Sequence, residues 1–251
     1  MAPTSGATGR LKGIGQTLAQ SSTTIRPTEI APRAQAKLID LVGAAPQLVL
    51  YAMSITGLAM RLKAQAAGLH RSPQPTLYVQ MLLPLSNGLY LSLLMLLLVV
   101  RPPPVGSAGG VSPKLAALVG FSLTGLLVLL PPARMSSPVS LLSLTLTLGG
   151  TAASIYVAAV LGRCFSIFPQ ARGLVTHGPY RFIRHPLYLA EFFTVIGIAL
   201  QFALPWSFFV ALAAMAAQFP RMYYEEQILS TSYPPYRAFM MRTARLIPGI
   251  Y

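Results

Sequence analysis

Residues 77–100 read LYVQMLLPLSNGLYLSLLMLLLVV, with no Asp, Glu, Lys or Arg in the stretch. A charge-free apolar run of this length makes a helix that crosses the ~30 Å hydrocarbon core of a bilayer at ~1.5 Å per residue. It is bounded by the break from Arg61 to Pro75 on one side and by Arg101-Pro102-Pro103-Pro104 on the other. Outward from it lie further apolar stretches at 39–60, 114–131, 138–161, 187–203 and 205–220. Pro131-Pro132 with Arg134, and Leu204-Pro205, supply the remaining breaks, where proline cannot continue a helix. The expected fold is all-α, a polytopic membrane bundle with about six hydrophobic segments. The last two form a tight C-terminal helical hairpin.

Composition agrees. The chain is 54% hydrophobic and 10% charged, with a mean hydropathy of +0.60, whereas soluble domains run near a quarter charged. Its formal charge of +14 sets 19 Lys and Arg against five carboxylates, Glu29, Asp40, Glu191, Glu225 and Glu226. In a membrane chain such an excess marks topology and contact with anionic head groups, so the bilayer is the expected partner and nucleic acid is not. With the N-terminus in the cytoplasm, 15 of the Lys and Arg fall on the cytoplasmic side and 4 on the other. The expectation is a multi-pass protein with both termini and the active site cytoplasmic. Cys164 is the sole cysteine, which rules out an intramolecular disulfide and a cysteine-based zinc site, and no metal site is expected.

Three regions follow: a disordered basic tail over 1–37, transmembrane helices over 38–154, and a catalytic core over 155–251. The tail lacks the apolar core of a secretory signal, although an organelle-targeting peptide shares its acid-poor composition.

Chemistry concentrates in the core region. Three of the five carboxylates and two of the three histidines lie after residue 176. Ionisable groups beside a bilayer are costly, so their clustering marks a site. The first cluster is Gly178-Pro179-Tyr180-Arg181-Phe182-Ile183-Arg184-His185-Pro186-Leu187-Tyr188. Pro186 suits the first turn of a helix, which sets Arg184 and His185 beside a positive helix N-terminus suited to a ligand carboxylate. The bland reading is that Arg181 and Arg184 anchor the helix at anionic head groups while His185 caps it.

The second cluster is Arg221-Met222-Tyr223-Tyr224-Glu225-Glu226-Gln227-Ile228-Leu229. Arg221 and Glu225 stand one helical turn apart and can pair, and two adjacent carboxylates at the end of an apolar helix suit a cationic ligand. The alternative is a solvated helix end. The clusters bracket one hairpin and are therefore close in space. Together they complement a zwitterion with a carboxylate, an ammonium and a sulfonium, as in S-adenosylmethionine. Glu191, about one turn into a membrane helix, is either a polar group in the acceptor pocket or a partner for Arg184 or Arg163. His70 and His177 read as loop residues and Cys164 as packing.

These residues resemble the isoprenylcysteine carboxyl methyltransferase and phospholipid methyltransferase superfamily. The pattern is Leu174-Val175-Thr176-x-Gly178-Pro179-Tyr180, Arg184-His185-Pro186-x-Tyr188, an apolar hairpin, Arg221-x-x-x-Glu225-Glu226-x-x-Leu229, and Tyr233-x-x-Tyr236 through Arg245-x-x-Pro248, over roughly 155–251. The resemblance implies a cytosolic S-adenosylmethionine pocket that a lipophilic or prenylated acceptor reaches from the bilayer. Leu174, Val175, Gly178, Tyr180, Arg184, His185, Tyr188, Glu225 and Glu226 would form the cofactor site, with Glu225 also catalytic. Arg221 would act on the acceptor and methyl group, with Glu191 in the acceptor pocket. Two positions depart from the prenylcysteine members: Arg172 stands where they often carry His, and Ala190-Glu191 where they carry Gly-Trp. Carboxyl O-methylation of an isoprenylcysteine-like acceptor is the leading expectation, and N-methylation of a phospholipid or other amine the alternative.

Two other classes compete. Membrane sterol reductases share Arg-His-Pro-x-Tyr but use NADPH, and no Rossmann-type glycine motif supports that reading here. A transporter subunit would carry its charges near the midplane rather than at one surface.

Overall fold

The computed structural model describes residues 27–71, 75–127 and 130–249. Helix α1 spans Pro27–Arg71, α2 Pro75–Val100, α3 Ser112–Leu126 and α4 Ser137–Leu161. After a loop come α5 (Pro186–Ala199), α6 (Trp206–Ala216), α7 (Gln218–Ser232) and α8 (Pro235–Met240). The strands are two-residue pieces, β1 (Gly106–Ser107) and β2 (Gln170–Ala171), paired antiparallel. The fold is all-α, as expected.

Two boundaries differ from the sequence reading. Helix α1 starts at Pro27, inside the stretch expected to be a tail, because proline suits a first helical turn; residues 1–26 of that tail lie outside the described residues. It also runs through Arg61 and Lys63 to Arg71, since nothing in 61–71 breaks a helix, and His70 is therefore helical rather than in a loop. The clustered chemistry lies in the compact unit that begins at Asp40.

Among the described residues three helical stretches are long and apolar enough to cross a membrane: Ala34–His70, Gln80–Val100 and Ser137–Cys164. Helices α3, α5 and α6, with 15, 14 and 11 residues, are shorter. At ~1.5 Å per residue they reach only about 16–23 Å, so six full crossings do not follow from their lengths. The apolar outer faces suit lipid: Val42, Val49, Leu82, Leu89, Leu141 and Phe209 are all exposed.

Helices α4 and α5 form the tightest pair. The buried face of α4 carries Ser143, Thr147, Gly150, Thr151 and Ser154, small residues that let a neighbouring backbone approach. A Cβ on Gly150 would lie 2.6 Å from the Thr194 backbone nitrogen, and one on Gly197 would lie 2.6 Å from that of Thr147. Ser143 Oγ donates to the Gly197 carbonyl at 2.7 Å. These contacts hold the second half of α5 against α4, and the first cluster ends in the opening turn of the same helix.

Candidate active site

The site is assembled at the N-terminus of α5. Gly178 takes φ +59°, and a Cβ there would meet Val160 Cγ1 at 3.2 Å, so glycine lets the chain turn beneath α4. A 3₁₀ turn over Gly178–Arg181 then buries Tyr180, whose phenol is pushed up in pKa by that burial, with Glu225 and Glu191 adding to it. The C-terminal tail straps this segment: Arg184 N donates to the Ala244 carbonyl at 2.9 Å and His185 N to the Arg245 carbonyl at 3.1 Å.

The adjacent carboxylates of α7 take different places. Glu226 is 3% exposed and faces inward. Its Oε1 receives Arg184 Nε at 2.7 Å and lies 3.1 Å from His185 Nε2, while Arg245 grips both oxygens through Nε at 3.1 Å and also through Nη2. Burial opposes its charge, but the hydrogen bonds from His185, Arg245 and Arg184 outweigh it and bring the carboxyl to about 2. Glu226 thus ties α7, α5 and the tail together. Glu225 has 23% of its side chain exposed; it accepts the Tyr188 hydroxyl and lies 3.9 Å from His185 Nδ1.

A cavity of about 290 Å³ opens beside these groups. Gln218, Arg221, Glu225 and Leu229, at i, i+3, i+7 and i+11 of α7, form one wall. Leu174, Val175, Tyr180, Arg184, His185 and Tyr188 line it too, and it continues among the membrane helices to Glu191. Gly178 and Glu226, both expected in the cofactor site, do not line it: the first shapes a turn and the second holds cationic side chains behind the wall. Arg184 reaches the cavity with its fork largely committed, since Nη1 also donates to the carbonyls of Met240 (2.8 Å) and Thr243 (2.5 Å).

Arg221 does not pair with Glu225 through a hydrogen bond. Its Nη1 donates to Gln218 Oε1 at 2.7 Å, its guanidinium lies 5.0 Å from the Tyr188 ring centroid, and its buried Nε has no partner among the described residues. Burial works against its charge, while Tyr188, Glu225 and Glu191 together raise its pKa, so it stays protonated. Gly120 of α3 makes room for it, because a Cβ there would fall 2.8 Å from Arg221 Cδ. Glu191 is held by Tyr90, whose hydroxyl donates to Oε1 at 2.9 Å, and not by Arg184.

Several lining residues escaped the sequence reading. Tyr51, Asn87 and Tyr90 come from α1 and α2, and Thr151 and Ser154 from α4, where their Oγ atoms are buried without partners among the described residues. Polar side chains recurring inside charge-free helices were the available signal. Cys164, read as packing, also lines the cavity. Among the described residues no group of three or more His, Cys, Asp or Glu is placed to hold a metal ion.

The phospholipid methyltransferase family model matches residues 138–235, from the start of α4 to the start of α8. No match was found among curated proteins. Residues 138–235 thus match the phospholipid methyltransferase family, of the superfamily that also includes the isoprenylcysteine carboxyl methyltransferases, in a chain with three helical stretches long and apolar enough to cross a membrane.

Proposed function

We infer that this membrane methyltransferase uses S-adenosylmethionine and modifies a lipophilic acceptor drawn from the bilayer. The observation that carries the reading is one cavity shared by two kinds of surface. Its loop side presents Glu225 with Tyr188 for a cationic centre, His185 and Arg184 at the α5 N-terminus for a carboxylate, and the apolar Leu174, Val175 and Leu229 for a flat ring. Its membrane side presents Tyr51, Asn87, Tyr90 and Glu191 between helices. The residues therefore fit the cofactor and leave room for a second ligand.

Bound there, S-adenosylmethionine supplies an activated methyl group on a sulfonium. The protein's part is to align the acceptor and exclude water. Arg221, between the two sides, is the residue to orient the acceptor. Two acceptor classes remain, a prenylcysteine-like carboxyl and an amine such as a phospholipid head group. The Tyr90–Glu191 pair favours the amine, because a buried carboxylate repels another carboxylate, whereas it can hold an ammonium and take its proton. Glu191 stands where prenylcysteine members carry Trp, in line with that choice.

The deciding experiment is equilibrium binding of radiolabelled S-adenosylmethionine to detergent-solubilised protein with NADPH as competitor. Methyl transfer to an aminophospholipid and to a prenylcysteine is then compared. Binding of NADPH alone would overturn the reading in favour of a reductase. Counted over six crossings, the 15-to-4 charge distribution supports a cytoplasmic placement of both termini and the site. A reporter fused after Tyr251 tests it, and a signal from the opposite side would overturn it.

A further inference from the structure

A second buried ionic cluster lies outside the cavity. Asp40, on α1, has 5% of its side chain exposed; Arg101, just after α2, has 4%, and Arg172, in the loop before α5, has 0%. Arg101 donates to Asp40 through Nε and Nη2, each at 3.1 Å. Arg172 donates to the same carboxylate through Nη1 at 3.1 Å and Nη2 at 2.5 Å, and reaches the Pro102 carbonyl and Gln170 Oε1 as well. The loop is otherwise held by Phe165 and Ile167, buried in the core beside Leu94 and Leu98, and by the β1–β2 pairing, with Val105 N donating to the Ala171 carbonyl at 2.8 Å and Ala108 N to the Pro169 carbonyl at 3.0 Å. Arg172 is followed directly by Gly173, Leu174 and Val175, and these three with Gln170 form part of the cavity wall.

One carboxylate thus serves two buried guanidinium groups. Removing its charge takes away the carboxylate shared by two guanidinium groups buried side by side, which favours their moving apart. Arg101 is fixed at the end of α2, so the side that yields is the loop carrying Arg172. Asp40 and Arg101 lie outside the family-matched segment 138–235, and Asp40 does not line the cavity.

We propose that Asp40 is a positioning residue for the cofactor: through Arg172 it holds the 170–175 loop in the shape that closes the S-adenosylmethionine side of the cavity. This rests on the function inferred above. Cofactor affinity then depends on a charge in α1 that never touches the cofactor, while the acceptor side, built by Tyr90, Glu191 and Arg221, does not depend on it.

The test compares wild type with Asp40→Asn, Asp40→Glu and Arg172→Lys in detergent, by two measurements. The first is amide hydrogen exchange over 166–176 without ligand; the second is the dissociation constant of radiolabelled S-adenosylmethionine. Asp40→Asn is expected to speed exchange in that segment and to weaken binding at least about tenfold, with the rate at saturating cofactor within about twofold of wild type. Asp40→Glu, which keeps the charge, recovers most of the affinity. If Asp40→Asn does not fold, Arg172→Lys serves instead, because lysine keeps the charge but loses the two-pronged grip. A lower melting temperature with unchanged exchange and affinity would overturn the proposal, as would equal losses in Asp40→Glu and Asp40→Asn. If wild type binds no S-adenosylmethionine, the functional reading fails, while the exchange arm still decides whether Asp40 holds the loop.

Discussion

Replacing Glu226 by glutamine removes the charge that Arg184 and Arg245 share, while keeping the side chain's shape. The loss can be worked in two ways. Breaking a buried, hydrogen-bonded ion pair by neutralising one partner costs about 3–5 kcal/mol, because the cations stay buried without compensation. By proton linkage, a carboxyl lowered from 4.5 to about 2 on folding contributes about 3 kcal/mol at neutral pH. The two agree, so Glu226→Gln should destabilise the protein by about 3 kcal/mol. The sign follows from the depressed folded-state value: the contribution is complete above about pH 4.5 and disappears as pH falls toward 2. Unfolding by SDS titration in mixed micelles, at several pH values, measures both. The stability gap between wild type and variant should be full at pH 7 and close between pH 4.5 and 2. A gap under about 1 kcal/mol at pH 7, or one that does not narrow in acid, would refute the idea that this carboxylate ties α7, α5 and the tail together.

Glu225→Gln should act on ligand rather than fold, weakening S-adenosylmethionine binding roughly ten- to hundredfold, since a hydrogen bond to a charged group contributes about 1.5–3 kcal/mol; equal cofactor affinity in a folded variant would reduce Glu225 to a solvated helix end. Arg221→Lys and Gly120→Ala should both lower turnover more than cofactor affinity. The first removes the planar fork, and the second places a methyl 2.8 Å from Arg221 Cδ and shifts it, where a displacement of about 1 Å costs on the order of a hundredfold. Normal turnover in both would remove Arg221 from the site. At the α4–α5 contact, Gly197→Ala drives a Cβ to 2.6 Å from the Thr147 backbone nitrogen and should cost about 1–3 kcal/mol in SDS unfolding. Gly149→Ala, which meets nothing within 4 Å, is the control and should be neutral or slightly stabilising.

Much of this protein is determined by local chemistry that a linear reading reaches. Charge-free apolar runs such as 77–100 dictate membrane helices whatever surrounds them, because lipid offers the backbone N–H and C=O groups no partner outside the helix. Pro186 at a helix start, and the spacing of Arg221 and Glu225, set which face and which end of a helix carry charge before any tertiary contact forms. That the clusters at 178–188 and 221–229 lie close in space was therefore legible, and both contribute to one cavity.

What tertiary structure decided is which member of each pair faces the cavity. Glu225 and Glu226 are neighbours in sequence, but helical geometry turns them about 100° apart, toward the cavity and toward Arg184, His185 and Arg245 respectively. Only folding could separate those roles, because Arg245 and Arg184 arrive from the tail and from the segment before α5. The same holds for Glu191, whose partner Tyr90 lies 101 residues away, and for Asp40, 132 residues from Arg172. A carboxylate's partner in a membrane protein is chosen by which helices the lipid-facing runs leave side by side, and that packing depends on small residues such as Gly150 and Gly197, whose spacing carries no charge signal to read.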